Sequence, residues 1–535
     1  MNQTTPMMRL QVVPETAPFS DEQRAWLNGF LVGALQLDGN VPLSPEQNAA
    51  IVGGAAAADD DDDAPWHDQT MPIGERMKLA EGKPLRRRMM AAMAQQDCGQ
   101  CGYNCRDYAD ALAARTEERI NLCVPGGKDT ARMLKALHAE LDAAPVAKAA
   151  PLAAASPVSA AAVSAPGRSR DNPAVATLLS RRLLNKPGSE KETWHIEFDL
   201  SQGDLDYVVG DSFGVFPRND LGLVDQVIAV LGASHATQVN GKALRDVLRD
   251  DVSLSPAPDK LFELLSFVSG GALREKARAL AQGDDPDGDA AHLDVLATLQ
   301  KFMGVRPHPE AFIEALDPLQ PRLYSISSSH NAAPGRLSLT VDTVRYVIGR
   351  RGRLGVASTY LAERAAIGDE VRVYVQKAHG FALPENTDTP VIMIGPGTGV
   401  APFRAFLQDR GATKAGGRNW LFFGHQRRDC DFFYADELNA MKTSGLLTRL
   451  SLAWSRDGDA KFYVQDRMRE VGRELWNWLA DGAHVYVCGD AKRMAKDVER
   501  ALVDIVAQFG VRSTDEAIAF VADLKRKGRY QQDVY

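Results

Sequence analysis

Cysteine is scarce in this chain, six in 535 residues, which is too few for a secreted scaffold stapled by disulfides. Long apolar runs are missing as well: none approaches 18 residues, so no segment reads as a membrane span. An excess of positive charge is absent, since the net charge is −8, and this argues against a nucleic-acid partner. The first residues carry no pattern of an export signal. Together with thiols free for metal, that points to the cytoplasm. What remains is an ordinary globular composition, 45% hydrophobic and 25% charged, in a chain long enough for about three or four domains.

The few cysteines are not scattered. Cys98, Cys101, Cys105 and Cys123 read C-x2-C-x3-C, a gap of 17, then a last Cys before Pro125-Gly126-Gly127. Three thiolates on one tight loop and a fourth returned by a helix is a common way to hold a cubane iron–sulfur cluster. The small residues Gly99, Gly102, Gly126 and Gly127 would let backbone amides approach its sulfides. A structural zinc is the rival reading, because C-x2-C is also a zinc-knuckle spacing, although zinc sites usually pair two such arms. The segment resembles the 4Fe–4S domain of the Rnf complex B subunit, which carries CGxCGxxxCxxYAxA, then INxC, then PGG. Here one residue fewer separates the second and third Cys. Cys430 reads as structural.

Composition divides the rest. Residues 1–65 hold a helix over Asp21–Leu35, capped by Ser20, and an acidic linker at Ala55–Asp63. Residues 66–142 form the cysteine module, and 143–170 an Ala/Pro/Ser-rich tether. From 171 to 384 the pattern is β-rich: strands are expected at Thr193–Leu200, Tyr207–Phe216, Leu323–Ser327, Leu337–Val344 and Glu370–Val375. A helical insert at about 219–320 interrupts it, with helices at Leu221–Leu231 and Leu261–Leu280. From 385 to 535, strands at Val391–Ile394, Trp420–Gly424, Leu450–Trp454 and His484–Cys488 alternate with helices, which implies a parallel sheet.

The run Arg322-Leu323-Tyr324-Ser325-Ile326-Ser327 resembles the RxYS signature of the ferredoxin–NADP reductase superfamily. The likeness extends over about residues 171–535 to the flavoprotein subunits of NADPH-dependent sulfite reductase, through segments such as GDSFGVFPRND, VIMIGPGTGVAPFRAFLQDR and RYQQDVY. It implies an antiparallel FAD-binding barrel followed by an NADP-binding domain. By the same resemblance Arg322 meets the FAD pyrophosphate, Leu323 and Tyr324 lie against the flavin, and Ser325 reaches its N5 edge. Thr340, Val341, Asp342 and Tyr346, on the next strand, would flank adenine and ribose. Gly355, Val356, Ala357 and Ser358 would open a helix onto the pyrophosphate.

The turn Gly395–Pro402 follows an apolar strand and precedes a helix at Phe403–Gln408, so Gly397 and Thr398 stand where a dinucleotide approaches backbone amides. Ser455, Arg456, Lys461, Tyr463 and Gln465 gather hydroxyl, guanidinium and ammonium groups beyond one strand. That chemistry suits a ribose 2′-phosphate and hence NADPH, whereas an NAD site would present a carboxylate. The resemblance adds Asp497 as an NADP contact, Cys488 beside the nicotinamide, and Asp533 as a balance for its positive charge. Tyr535 would cover the flavin face and swing away.

No flavodoxin-like FMN segment occurs in residues 1–170; the cysteine module stands in its place. The expected relay runs from NADPH to FAD to a 4Fe–4S cluster and on to a sirohaem sulfite reductase haemoprotein. A general NADPH-dependent donor to a nitrite reductase, oxygenase or other haem protein is the alternative, and a zinc-stabilised docking module is a third reading.

Overall fold

The computed structural model describes residues 65–143 and 165–535, apart from 70, 97–100, 102, 118, 204 and 379. The expected helix at Asp21–Leu35, the acidic linker, most of the tether and Cys98 lie outside the described residues. Pro65–Tyr535 forms one compact unit.

Four helices, Ile73–Leu79, Leu85–Ala92, Cys105–Ala113 and Gly127–Ala143, make the cysteine module. Its core is small and sulfur-rich: Met89, Met90, Met93, Tyr108, Leu112, Leu122, Leu134 and Leu137 are buried together with Cys105. Methionine fills such irregular gaps well. Asn104 caps the third helix by accepting from the Asp107 amide, which fixes Cys105 at its first position.

Two long strands, β1 (Ala174–Leu183) and β2 (Thr193–Asp199), and the short β3 (Ser212–Val215) open the flavin half. β3 covers only part of the expected Tyr207–Phe216. Gly210 sits at a φ of +105°, and Asp211 closes a turn by accepting from the Val208 amide, so pairing cannot begin earlier. The insert then carries the small hairpin β4 (Gln238–Val239) and β5 (Lys242–Ala243) among six α-helices between Leu221 and Glu314. Leu221–Leu231 forms as expected, capped by Asp220 and stopped by left-handed Gly232. The expected helix Leu261–Leu280 is two helices, Asp259–Val268 and Gly271–Gln282. Gly270 and Gly271 break it, Gly271 at a φ of +55°.

Strands β6 (Arg322–Ser325) and β7 (Arg336–Asp342) follow, then a separate hairpin of β8 (Arg345–Ile348) and β9 (Arg351–Leu354), then β10 (Glu370–Gln376). The antiparallel order is β6-β3-β10-β1-β2-β7. A bridge between Ile326 and Leu339 joins the two edges, so the sheet curls into a barrel over Ile196, Phe198, Phe213 and Leu339.

The carboxyl half is a parallel sheet ordered β13-β12-β11-β14-β15, from β11 (Val391–Ile394), β12 (Asn419–His425), β13 (Arg449–Trp454), β14 (His484–Gly489) and β15 (Tyr530–Val534). Every residue of β11 is buried, as expected of a strand covered by helices on both faces. The helix after it, Ala401–Ala412, begins earlier and ends later than expected. β15 pairs with β14 in parallel, Cys488 opposite Asp533, and so carries the last residues to the carboxyl edge of the sheet. No helix among the described residues is long and apolar enough to cross a membrane.

Candidate functional site

Barrel and parallel sheet meet around a cleft of about 910 Å³, ample for a dinucleotide. β6 lines it with Arg322, Leu323, Tyr324 and Ser325, and β7 with Thr340, Val341 and Asp342. Arg322 is exposed at the rim and Tyr324 half-buried within. This donor set fits FAD: one guanidinium for the pyrophosphate and one aromatic face for a ring system. Tyr346 is not part of it. The residue belongs to β8, not to the strand after β6, and its side chain is 47% exposed. Gly355 caps a short helix, Val356–Thr359, in which Ala357 and Ser358 are buried. Ser358 Oγ accepts from the Val344 amide at 3.1 Å.

β14 and β15 bring Cys488 and Asp533 up to Ser325 of β6. Ser325 Oγ donates to Asp533 Oδ2 at 2.6 Å, and the Cys488 thiol donates to the same oxygen at 3.7 Å. Burial raises the Asp533 carboxyl above its ordinary value, against the two donated bonds. Burial, then the neighbouring Asp533 charge, pushes the Cys488 thiol well up, so it is a neutral donor at physiological pH. Tyr535 Oη bonds Thr398 Oγ1 at 2.9 Å, and its backbone is pinned by the Gly489 carbonyl at 3.0 Å. The ring remains 56% exposed.

A second recess, about 330 Å³, opens beside the cleft and is lined by Gly397, Thr398, Gly489, Asp490 and Tyr535. Asp342 and Thr398 border both cavities. Gly399 is required here: a Cβ would lie 2.1 Å from the Cys488 carbonyl oxygen. The close approach brings the glycine turn against β14. Ser455 and Arg456 leave β13 with their amides bonded to the carbonyls of His425 and Gln426. Arg456 pairs with Glu190 at 2.5 Å. Lys461 and Tyr463 are exposed, and Gln465 lies in the helix Val464–Glu470. Asp497 stands in the first turn of the helix Met494–Phe509, 3.6 Å from Arg500, away from the lining of either cavity.

In the cysteine module, Cys101, Cys105 and Cys123 line one small cavity with Met93, Tyr103 and Tyr108. None of the three is in a disulfide. Burial pushes the Cys101 thiol up to about 11 and raises Cys123, while the amides of Ala94 and Gly126 bond its sulfur. The buried Arg76 guanidinium, held by the carbonyls of Ala91 and Met71, faces the fields of Cys105 and Cys123. Among the described residues no three His, Cys, Asp or Glu side chains converge on a single ion. Three free thiols around a shared cavity, with a buried cation and amides aimed at the Cys123 sulfur, fit an iron–sulfur cluster, which cysteine sulfurs ligate.

Three family models match: an Fe–S cluster over residues 94–125, an FAD binding domain over 166–266 and an oxidoreductase NAD-binding domain over 393–500. The sulfite reductase [NADPH] flavoprotein alpha-component of Photorhabdus laumondii is 43% identical over 371 residues. That of Escherichia coli O9:H4 (strain HS) is 43% identical over 378 residues. This chain is a relative of the sulfite reductase flavoproteins. The alignments cover 69% of it and 61% of each relative, so it spans about three fifths of their length.

Two features of this sulfite reductase flavoprotein relative were not read from the sequence. Glu190 occupies the Arg456 guanidinium, and nothing local to Glu190 signals it. Gln96, Val124 and Pro125 line the thiol cavity and the flavin cleft alike. For these a signal existed, since Val124 and Pro125 directly follow Cys123.

Proposed function

We propose that this chain takes electrons from NADPH through FAD and a 4Fe–4S cluster and delivers them to a sirohaem sulfite reductase haemoprotein in the cytoplasm. The observation that carries the reading is the wall of Gln96, Val124 and Pro125 that the thiol cavity and the flavin cleft have in common. A flavin in the cleft would accept hydride as a pair and release single electrons, and a cluster would carry them singly.

The chain's own residues divide the remaining work. Arg322 anchors the pyrophosphate of FAD, and Tyr324 packs on its ring. Thr340, Val341 and Asp342 line the same cleft from β7. Gly397, Thr398 and the tight Gly399 turn receive the NADPH pyrophosphate, while Ser455 and Arg456, with Lys461, Tyr463 and Gln465, meet the 2′-phosphate. Asp533, oriented by Ser325 and Cys488, places a carboxylate where the nicotinamide becomes positive; electrostatics aimed at developing charge is commonly a large catalytic contribution. Tyr535 yields its place to the nicotinamide, breaking its bond to Thr398. Cys98, Cys101, Cys105 and Cys123 ligate the cluster, with Arg76 offsetting their charge.

The test is anaerobic. The purified protein should contain four irons, four sulfides and one FAD per chain and no FMN, and with NADPH it should reduce a sirohaem sulfite reductase. Zinc in place of iron would overturn the relay. A competent iron–sulfur protein that reduces other haem proteins but not the sirohaem enzyme would overturn only the partner.

A further inference from the structure

The cysteine module touches the helical insert through a small set of complementary charges. Arg132 lays both arms of its guanidinium on Asp259, Nε to Oδ2 at 3.0 Å and Nη2 to Oδ1 at 3.1 Å. This is the bidentate geometry that gives a charged pair its directionality. Lys128 Nζ stands 3.9 Å from the same carboxylate and 5.5 Å from the centre of the Phe262 ring. Asn121 donates to Asp317 Oδ1 at 2.7 Å. Two cations and an amide on the module thus meet two carboxylates on the insert.

The placement of these residues gives them leverage. Asn121 precedes Cys123 by two positions. Lys128 and Arg132 lie on the first turns of the helix Gly127–Ala143, which starts two residues after Pro125. The connection between them is tight: Gly127 bonds the Val124 carbonyl, and Thr130 Oγ1 bonds the Ala92 carbonyl at 2.7 Å. A shift of the helix start would therefore carry Val124 and Pro125 with it, away from the wall of the flavin cleft that they line.

We propose that Asn121, Lys128 and Arg132 form a docking clamp on Asp259 and Asp317 of the helical insert, and that this clamp holds the Cys123–Pro125 segment over the flavin cleft. The inference deepens the relay reading and depends on it for its functional consequence, though not for the contact itself. Docked, the module stands where one electron lost by the reduced flavin is one electron gained by the cluster, two such transfers clearing the pair from one NADPH. The clamp is made largely of half-exposed charges, so salt loosens it.

The experiment uses the full chain with its cofactors. Arg132→Glu, alone and with Lys128→Glu, is compared with wild type by hydrogen exchange in the oxidised protein and by anaerobic stopped flow with NADPH. In wild type, rising salt should increase exchange of the helix Asp259–Val268 and slow reoxidation of the flavin by the cluster. Arg132→Glu should raise that exchange about tenfold at low salt and remove the salt dependence, while NADPH still reduces the flavin at the wild-type rate. Adding Asp259→Arg to Arg132→Glu should restore protection. Should the double variant unfold, Arg132→Gln supplies the milder test, with the same signs. Unchanged exchange in Arg132→Glu would overturn the clamp. Normal exchange behaviour with no electron reaching iron in wild type would instead overturn the relay and leave the clamp standing.

Discussion

Replacing Asp533 by Asn tests the hydride-transfer site with little change of shape. The carboxylate accepts from Ser325 at 2.6 Å and from Cys488 at 3.7 Å; an amide keeps an oxygen for these donors but loses the negative charge. Removal of one preorganised group facing a developing charge commonly costs about 10²–10³ in rate. The amide keeps the two donated hydrogen bonds and removes only the charge, so the lower end applies: about a hundredfold, or roughly 2.7 kcal/mol. The pH profile supplies an independent sign. Burial raises the Asp533 carboxyl above the ordinary carboxylate value. The ionised form is the competent one, so flavin reduction should climb with pH through that raised value and then level. The protonated group contributes nothing to hydride transfer, and Asp533→Asn should be slow and flat across the same range. Anaerobic stopped flow, following the bleaching of the flavin by saturating NADPH, reads both effects. A variant with wild-type rate and wild-type pH profile would refute the assigned role.

Cys123→Ser should lower iron and sulfide content and abolish delivery to the haemoprotein while leaving NADPH reduction of FAD intact; unchanged delivery would remove the cluster from the path. Arg456→Glu should raise the KM for NADPH about tenfold to a hundredfold, as loss of a charge-assisted phosphate contact implies, and leave the KM for NADH nearly untouched. Glu190→Gln should act oppositely, lowering the KM for NADPH by up to about fivefold, since an exposed ion pair is worth at most about 1 kcal/mol and the nucleotide must displace it. Tyr535→Ala should improve turnover with NADH by vacating the nicotinamide position; equal losses with both nucleotides would mean that the ring serves FAD instead.

Much of this architecture could be read because its signals are local. Alternating polarity marks β2, a continuous apolar run marks β11, and apolar periodicity marks the helix Leu221–Leu231. The misreadings arise where a local backbone requirement overrides periodicity: Gly270-Gly271 splits a helix whose leucines keep their spacing, and the Asp211 turn shortens β3. The resemblance places Tyr346 with Thr340–Asp342, but the chain turns after β7 and the residue falls in the separate hairpin strand β8. Arg322–Ser325 and the last residues were legible as motifs, but their convergence depends on β15 adding to the parallel sheet. The charges on Lys128, Arg132, Asp259 and Asp317 look like ordinary solvated residues in the sequence. Their partnership joins segments more than a hundred positions apart and exists only in three dimensions.

The wall that Gln96, Val124 and Pro125 lend to both the thiol cavity and the cleft has a consequence in air. Reduced flavins react readily with dioxygen wherever gas can reach them, and protein packed along the wall of the cleft restricts that approach. On the proposed relay, the segment through which electrons leave would therefore also curb their leakage to peroxide, and a detached module would turn a thrifty donor into an oxidase.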